Sequence, residues 1–239
     1  MGRGHDRPVS IAARFQAALT GVSEPAVSGP EMLPARLVRA AARMLPVDDA
    51  GLSVVVPGGE CIPLAASSEL ASLAERLQFT VGGGPCMAAH ATGEPVFAML
   101  QDLRRRWAPM ADQLLTRTPF RAVVALPLPK GVAGQGAVDF YFREEKAVSG
   151  LDVFEAMAVG DLITTALSEA AVLSTWTPDR GPEWLHGPAP AGRPCGRPWA
   201  SWRWSWTSSR RRPWTSCGPR RGPATAPWTR WPPSCSAAG

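Results

Sequence analysis

The chain has 239 residues, enough for one domain of about 100–150 residues with extensions, a size that buries a sufficient core without disulfides. Its charge is divided: up to Glu183 there are sixteen Lys and Arg against twenty acids, net −4, whereas the remainder carries nine Arg and no acid, net +9. Five cysteines, Cys61, Cys86, Cys195, Cys217 and Cys235, have neither metal-site nor small-secreted-domain spacing, which fits a reducing cytosol and argues against a disulfide framework.

The start, from Met1 to Pro8, lacks an apolar signal core. No apolar run approaches the roughly 20 residues that cross a bilayer. The expectation is a soluble, cytoplasmic protein with no membrane partner.

Residues 10–19 read as a short helix, and 21–30, rich in Gly, Pro and Ser, as a linker. Residues 1–30 are therefore expected to be a disordered or short helical extension. Leu33, Leu37, Ala40, Ala41, Met44 and Leu45 recur at three- and four-residue spacing, with Arg36, Arg39 and Arg43 opposite, which predicts an amphipathic helix on a sheet. The β-branched run 50–56 stops at Pro57-Gly58-Gly59, and 61–66 offers a second strand, a hairpin signal. A helix opens at Ser68, capped by Ser67 or Ser68, and ends near Leu77.

Gly82, Gly83 and Gly84 permit unusual backbone angles before Pro85, a residue suited to a first helical turn, so a short helix should follow and end by Gly93. Residues 95–98 read as a strand and 107–115 as a helix. The arginines Arg104, Arg105 and Arg106 between them read as a solvated loop. Residues 122–128 and 136–142 are the clearest strands and should pair antiparallel. The last helix, over 150–173, places Leu151, Phe154, Ala158, Leu162 and Ala166 on one line. Met157, Ile163, Leu167 and Ala171 broaden the apolar surface, a breadth that points to burial on two sides, as in a dimer.

Gly82-Gly83-Gly84-Pro85-Cys86 with Gly93-Glu94-Pro95-Val96, then Asp102-Leu103 before Trp107, and the strands 122–128 and 136–141, resemble a GAF domain, most closely the actinobacterial kind that precedes an ANTAR domain. The resemblance implies an α/β fold, GAF-type (PAS-like), with an antiparallel sheet of five or six strands flanked by helices. It covers about 140 residues, placing a sensor domain at 31–175, a linker at 176–192 and a tail at 193–239. For the family it further implies RNA binding and transcription antitermination through the ANTAR part.

The chain departs from that pattern after Pro188. From His186 to Gly239 there is no Leu, Ile, Val, Met or Phe to bury, and ten prolines interrupt any helix, so the tail is expected to be disordered. Its seven tryptophans fit a displaced reading frame, because TGG arises from out-of-frame GTG-G and CTG-G in GC-rich DNA. With one choice of synonymous codons, residues 228–236 re-read from the preceding base give Val-Asp-Glu-Val-Ala-Ala-Glu-Leu-Leu, an amphipathic helix resembling the end of an ANTAR domain. On that reading the slip would fall between Leu185 and Pro198, and the family's RNA output is expected to be lost. Taken literally, the Arg and Trp of the tail favour only salt-sensitive, unspecific nucleic-acid binding.

Candidate ligand-binding residues are Cys86, His90, Phe97, Trp107, Phe120 and Phe140, although the aromatics read first as core. Cys86 and His90, four apart on a short helix, supply two ligands with no visible third, so no metal or other cofactor is assigned. Met87 rather than His follows Cys86, against bilin attachment, and no Lys-Ser/Thr follows the glycines as in a P-loop. No nucleophile–base pair supports an enzyme. The reading is a sensor of a small-molecule or protein signal, acting as a homodimer through the helix from Leu151 to Leu173. The rival is a ligand-free GAF interaction module.

Overall fold

The computed structural model describes residues 9–55, 61–131 and 135–173; the readings of the linker and tail beyond residue 173 lie outside the described residues. The chain begins with α1 (Ile11–Thr20), whose first turn is capped by the Ser10 hydroxyl accepting the Ala13 N–H at 3.2 Å. The 21–30 segment, expected as a linker, instead packs into the core. Two 3-10 turns (Pro25–Val27 and Pro30–Met32) carry the chain, while Phe15, Val22 and Val27 are buried in one cluster with Leu37 and Val38. Arg43 holds the segment down by donating to the Gly21 carbonyl at 2.7 Å and pairing with Glu24 at 3.0 Å. Gly and Pro mark the turns here, but two valines decide that the turns are packed.

The amphipathic α2 (Leu33–Met44) leads into the hairpin of β1 (Asp49–Val55) and β2 (Cys61–Ala66), as the periodicities predict. Ser68 caps α3 (Glu69–Val81), which runs four residues beyond Leu77 and ends where Gly82 takes φ 67°. Next comes α4 (Pro85–Thr92), with proline in its first turn and Gly93 at φ 71° closing it. After β3 (Val96–Met99), the arginine run expected as a loop is α5 (Leu100–Arg106): Asp102 sits in its first turn and the three arginines in its last, a polarity that suits the helix dipole. Then follow α6 (Ala108–Arg117), β4 (Ala122–Pro127), β5 (Gln135–Phe142) and α7 (Val153–Leu173).

The five strands form one antiparallel sheet in the order β2-β1-β5-β4-β3, with helices on both faces, within the fold class expected. Strand alternation assigns the faces. Ala122, Val124 and Leu126 of β4 and Val138, Phe140 and Phe142 of β5 join α1, α2 and α7 in the larger core. Val123 and Tyr141 point the other way, toward α3, α5 and α6.

The buried stripe of α7 is Ala156, Val159, Gly160, Ile163, Leu167 and Ala171, so the helix is turned from the line read in the sequence. Phe154 is 85% exposed and Met157 42% exposed. By length and mean hydropathy alone, 21 residues at 1.4, this helix would suffice to cross a bilayer, contrary to the expectation that no segment would; its buried stripe, however, packs on the sheet.

Candidate functional site

On the α3–α4 side of the sheet, polar side chains converge where apolar ones would be expected. β5 supplies Asp139 and Tyr141, β1 supplies Ser53, α3 supplies Glu75 and Gln78 three residues apart on one helix face, and the first turn of α4 supplies Cys86. All are buried. The Tyr141 hydroxyl donates to Glu75 Oε1 at 2.7 Å, and Gln78 Nε2 donates to Asp139 Oδ2 and lies 3.2 Å from the Tyr141 oxygen. At its other end Gln78 Oε1 accepts the Cys86 N–H at 3.0 Å. Gln78 thereby ties the start of α4 to the middle of β5. Ser53 Oγ meets Cys86 Sγ at 2.7 Å, and Cys86 and Ser53 together hold the half-buried Cys61 thiol below its usual pKa.

Two glycines make room for this arrangement. A Cβ on Gly51 would lie 1.9 Å from Glu75 Oε1, and one on Gly84 would lie 2.2 Å from Gln78 Oε1. Gly84 has extended backbone (φ 172°), so only space, not conformation, demands glycine there. Because both contacted atoms are buried and hydrogen-bonded, they cannot swing away freely. Gly51→Ala and Gly84→Ala are each expected to cost about 1–3 kcal/mol, by overpacking and lost hydrogen bonds. Denaturant unfolding of each variant checks this, and an unchanged midpoint would contradict it.

Burial controls the protonation of the cluster. Desolvation raises the Asp139 carboxyl from 3.8 to about 7, opposed by hydrogen bonds from Gln78, Glu75 and Tyr141. Glu75 is pushed well above the usual carboxylate range, chiefly by burial and then by the charge of Asp139. At neutral pH the two carboxyls thus share protons rather than both ionise. Burial also drives the Tyr141 phenol well up. Glu75 Oε2 and Asp139 Oδ1 are buried without a hydrogen-bond partner. The proton that the pair shares bonds one carboxyl to the other; once that proton is lost these two acceptors have no other donor, a state that costs about 1–3 kcal/mol each.

The structure gathers only part of the candidate set read from the sequence. Cys86 is in the cluster, and Phe120 stacks on Tyr141 with ring centroids 4.9 Å apart. His90 is half-buried on α4 with Nδ1 unpartnered. Trp107 lies at the α5–α6 junction, with the Arg106 guanidinium 4.3 Å from its ring. Phe97 is 42% exposed on β3, and Phe140 lies on the opposite face of the sheet, in the core with α2 and α7. Among the described residues no group of three His, Cys, Asp or Glu is placed to hold a metal. An open recess of about 410 Å³ beside Met99 is lined by Asp102, Arg104 and Glu145, so Arg104 faces two acids rather than presenting a cationic field.

Ser53, Cys61, Glu75, Gln78, Asp139 and Tyr141 were not among the candidates. The available signal was in β5, where Asp139 and Tyr141 alternate with Val138, Phe140 and Phe142; a carboxylate inside such a strand needs a partner.

No family model matches the chain, and no curated protein matches it. Among solved structures it is similar to the GAF domain of a phosphoenolpyruvate-protein phosphotransferase from Coxiella burnetii, at 16% identity and TM-score 0.45, over 68% of this chain and 98% of that one. It is also similar to the GAF domain of the Acinetobacter phosphoenolpyruvate-protein phosphotransferase, at 9% identity and TM-score 0.45, over 70% and 97%. A third is the type II free methionine-R-sulfoxide reductase of Thermoplasma acidophilum, at 14% identity and TM-score 0.42, over 59% and 96%.

Proposed function

We propose that residues 31–175 are a GAF-type sensing domain of a cytoplasmic regulator, without catalytic turnover, whose state is set at the Glu75–Gln78–Asp139–Tyr141 cluster. The observation that carries this reading is the buried Glu75–Asp139 pair, whose Oε2 and Oδ1 have no donor besides the proton that the two carboxyls share. A protein that buries two carboxyls under α3 and α4 retains a free-energy gain for whatever supplies a donor in place of that proton. The matching ligand class is a small molecule bearing an amine or amide. β5 provides the relay, since Asp139 and Tyr141 face the cluster while Val138, Phe140 and Phe142 of the same strand pack in the core that buries α7.

The output we propose is dimeric and runs through α7, whose exposed Phe154 and Met157 lie one turn apart. The same exposure favours the second reading, an interaction module that dimerises without a ligand. A melting-temperature screen against amine- and amide-bearing metabolites separates the two. A sensor gains about 2.7 kcal/mol at one hundred times Kd, and the gain is absent from a Glu75→Gln, Asp139→Asn variant. No gain with any compound leaves the interaction module.

The RNA-binding output that the GAF–ANTAR resemblance implies is proposed to be lost, because residues 186–239 supply no apolar residue other than Trp, Ala and Cys to build a helical core. Resequencing the gene from the Trp184 codon tests the displaced frame. One missing or extra base restores it, and confirmation of the sequence as it stands removes RNA recognition from the account.

A further inference from the structure

We propose that Cys61 and Cys86 form a redox-active dithiol that a peroxide closes to a disulfide, joining the edge strand β2 to the first turn of α4. The sensing reading is deepened by this, since oxidation becomes a signal taken at the same cluster; the linkage chemistry itself needs only the two thiols.

The geometry begins with the β1–β2 register. Ser53 pairs with Pro63 and Val55 with Cys61, so Cys61 stands on the same sheet face as Ser53, two pairs along the ladder. Cys86 comes down onto that face from α4, with its sulfur 2.7 Å from Ser53 Oγ. Each thiol is the largest influence on the ionisation of the other, which places them side by side on this face. The spacing of 25 positions in the sequence gives no hint of the contact; the hairpin and the glycine turn before α4 create it.

The pair is asymmetric in the way that dithiol chemistry requires. Cys61 is half-buried, whereas Cys86 is fully buried. The neighbouring Cys86 lowers the Cys61 thiol below its usual value, whereas Cys86 is pushed well up by Cys61, by burial and by Asp139. Cys61 is therefore the attacking thiolate and Cys86 the resolving thiol.

The Cys61 thiolate attacks the distal oxygen of the peroxide. The O–O bond breaks, the leaving alkoxide takes a proton from water to depart as an alcohol, and Cys61 becomes a sulfenic acid. The Cys86 sulfur then displaces hydroxide from the Cys61 sulfur, and its own proton leaves with that hydroxide as water. Two thiols lose two electrons, and one peroxide gains them. In a reducing cytosol such a bond is transient, the usual form of a regulatory disulfide.

The test uses the reduced full chain treated with one equivalent of tert-butyl hydroperoxide, blocked with an alkylating agent and digested with trypsin. Cleavage after Arg43, Arg76 and Arg104 puts the two thiols on separate peptides, 44–76 and 77–104. The expected product is these peptides linked, two hydrogens lighter than their sum, separated again by dithiothreitol. In Cys86→Ser, the Cys61 sulfenic acid should accumulate and be trapped by dimedone, a readout that does not need the disulfide. Alkylation of both thiols in the oxidised wild type, with oxidation confined to Cys195, Cys217 and Cys235, would overturn the proposal. Linkage with no change in the self-association of the chain would leave the dithiol standing and remove its role in sensing.

Discussion

The Glu75→Gln, Asp139→Asn double variant is expected to keep about 3 kcal/mol of stability that the wild type loses between pH 5 and pH 8. The folded protein holds the Asp139 proton up to about 7, whereas the ordinary carboxyl value is 3.8. Between those values the unfolded chain binds fewer protons than the folded one, so stability falls as pH rises through this window. A shift of about three units corresponds to roughly 4 kcal/mol in full, most of it between pH 5 and pH 8. Glu75, shifted in the same direction, adds to the loss. The amides keep an acceptor for the Tyr141 hydroxyl and one for Gln78 while removing both titrations. Urea unfolding of wild type and variant at the two pH values checks this; parallel pH dependence in the two proteins would contradict it.

Phe120→Ala is expected to cost about 3–5 kcal/mol, the range for emptying a fully buried aromatic site. Phe120 has no exposed surface, packs with Leu103, Met110 and Leu114 from α5 and α6, and stacks on Tyr141. Its loss removes the apolar wall that holds the tyrosine ring against the sheet. The variant should therefore also lose pH dependence, since water entering beside Tyr141 relieves the desolvation of the two carboxyls. Phe140→Ala, on the opposite face, should be as destabilising but should leave the pH dependence in place. Equal pH dependence in Phe120→Ala and wild type would break the link between this ring and the carboxyls.

Most of the fold is legible in the residues, because its elements are set by local rules. Ser68, Pro85 and Gly93 mark helix ends that the structure places there, and the β-branched runs became strands with the expected antiparallel pairing. Two departures have different causes: Val22 and Val27 anchor a Gly/Pro-rich segment, tertiary packing overriding a local signal, whereas the arginine run closes a helix whose own charge order suits the dipole.

The site was much less legible. Cys86 was found through the glycine turn, but Glu75 and Gln78 look like the solvated side of an amphipathic helix until the sheet face they meet is known. Cys61 reads as an ordinary strand residue, because only the register against β1 brings it to Cys86. Aromatic residues misdirect for the opposite reason: Phe140 follows Asp139 in sequence, yet alternation along a strand sends it to the other face.

The central claim is that the protonation and bonding state of the Glu75–Asp139 cluster reaches α7 and changes how two copies of the chain associate. Sedimentation equilibrium of the full chain at pH 5 and pH 8, for wild type and for Glu75→Gln, Asp139→Asn, addresses it most directly. The account expects a dimer dissociation constant that differs between the two pH values in wild type and does not in the variant. The same pH dependence in both proteins, or a monomer throughout, would contradict it.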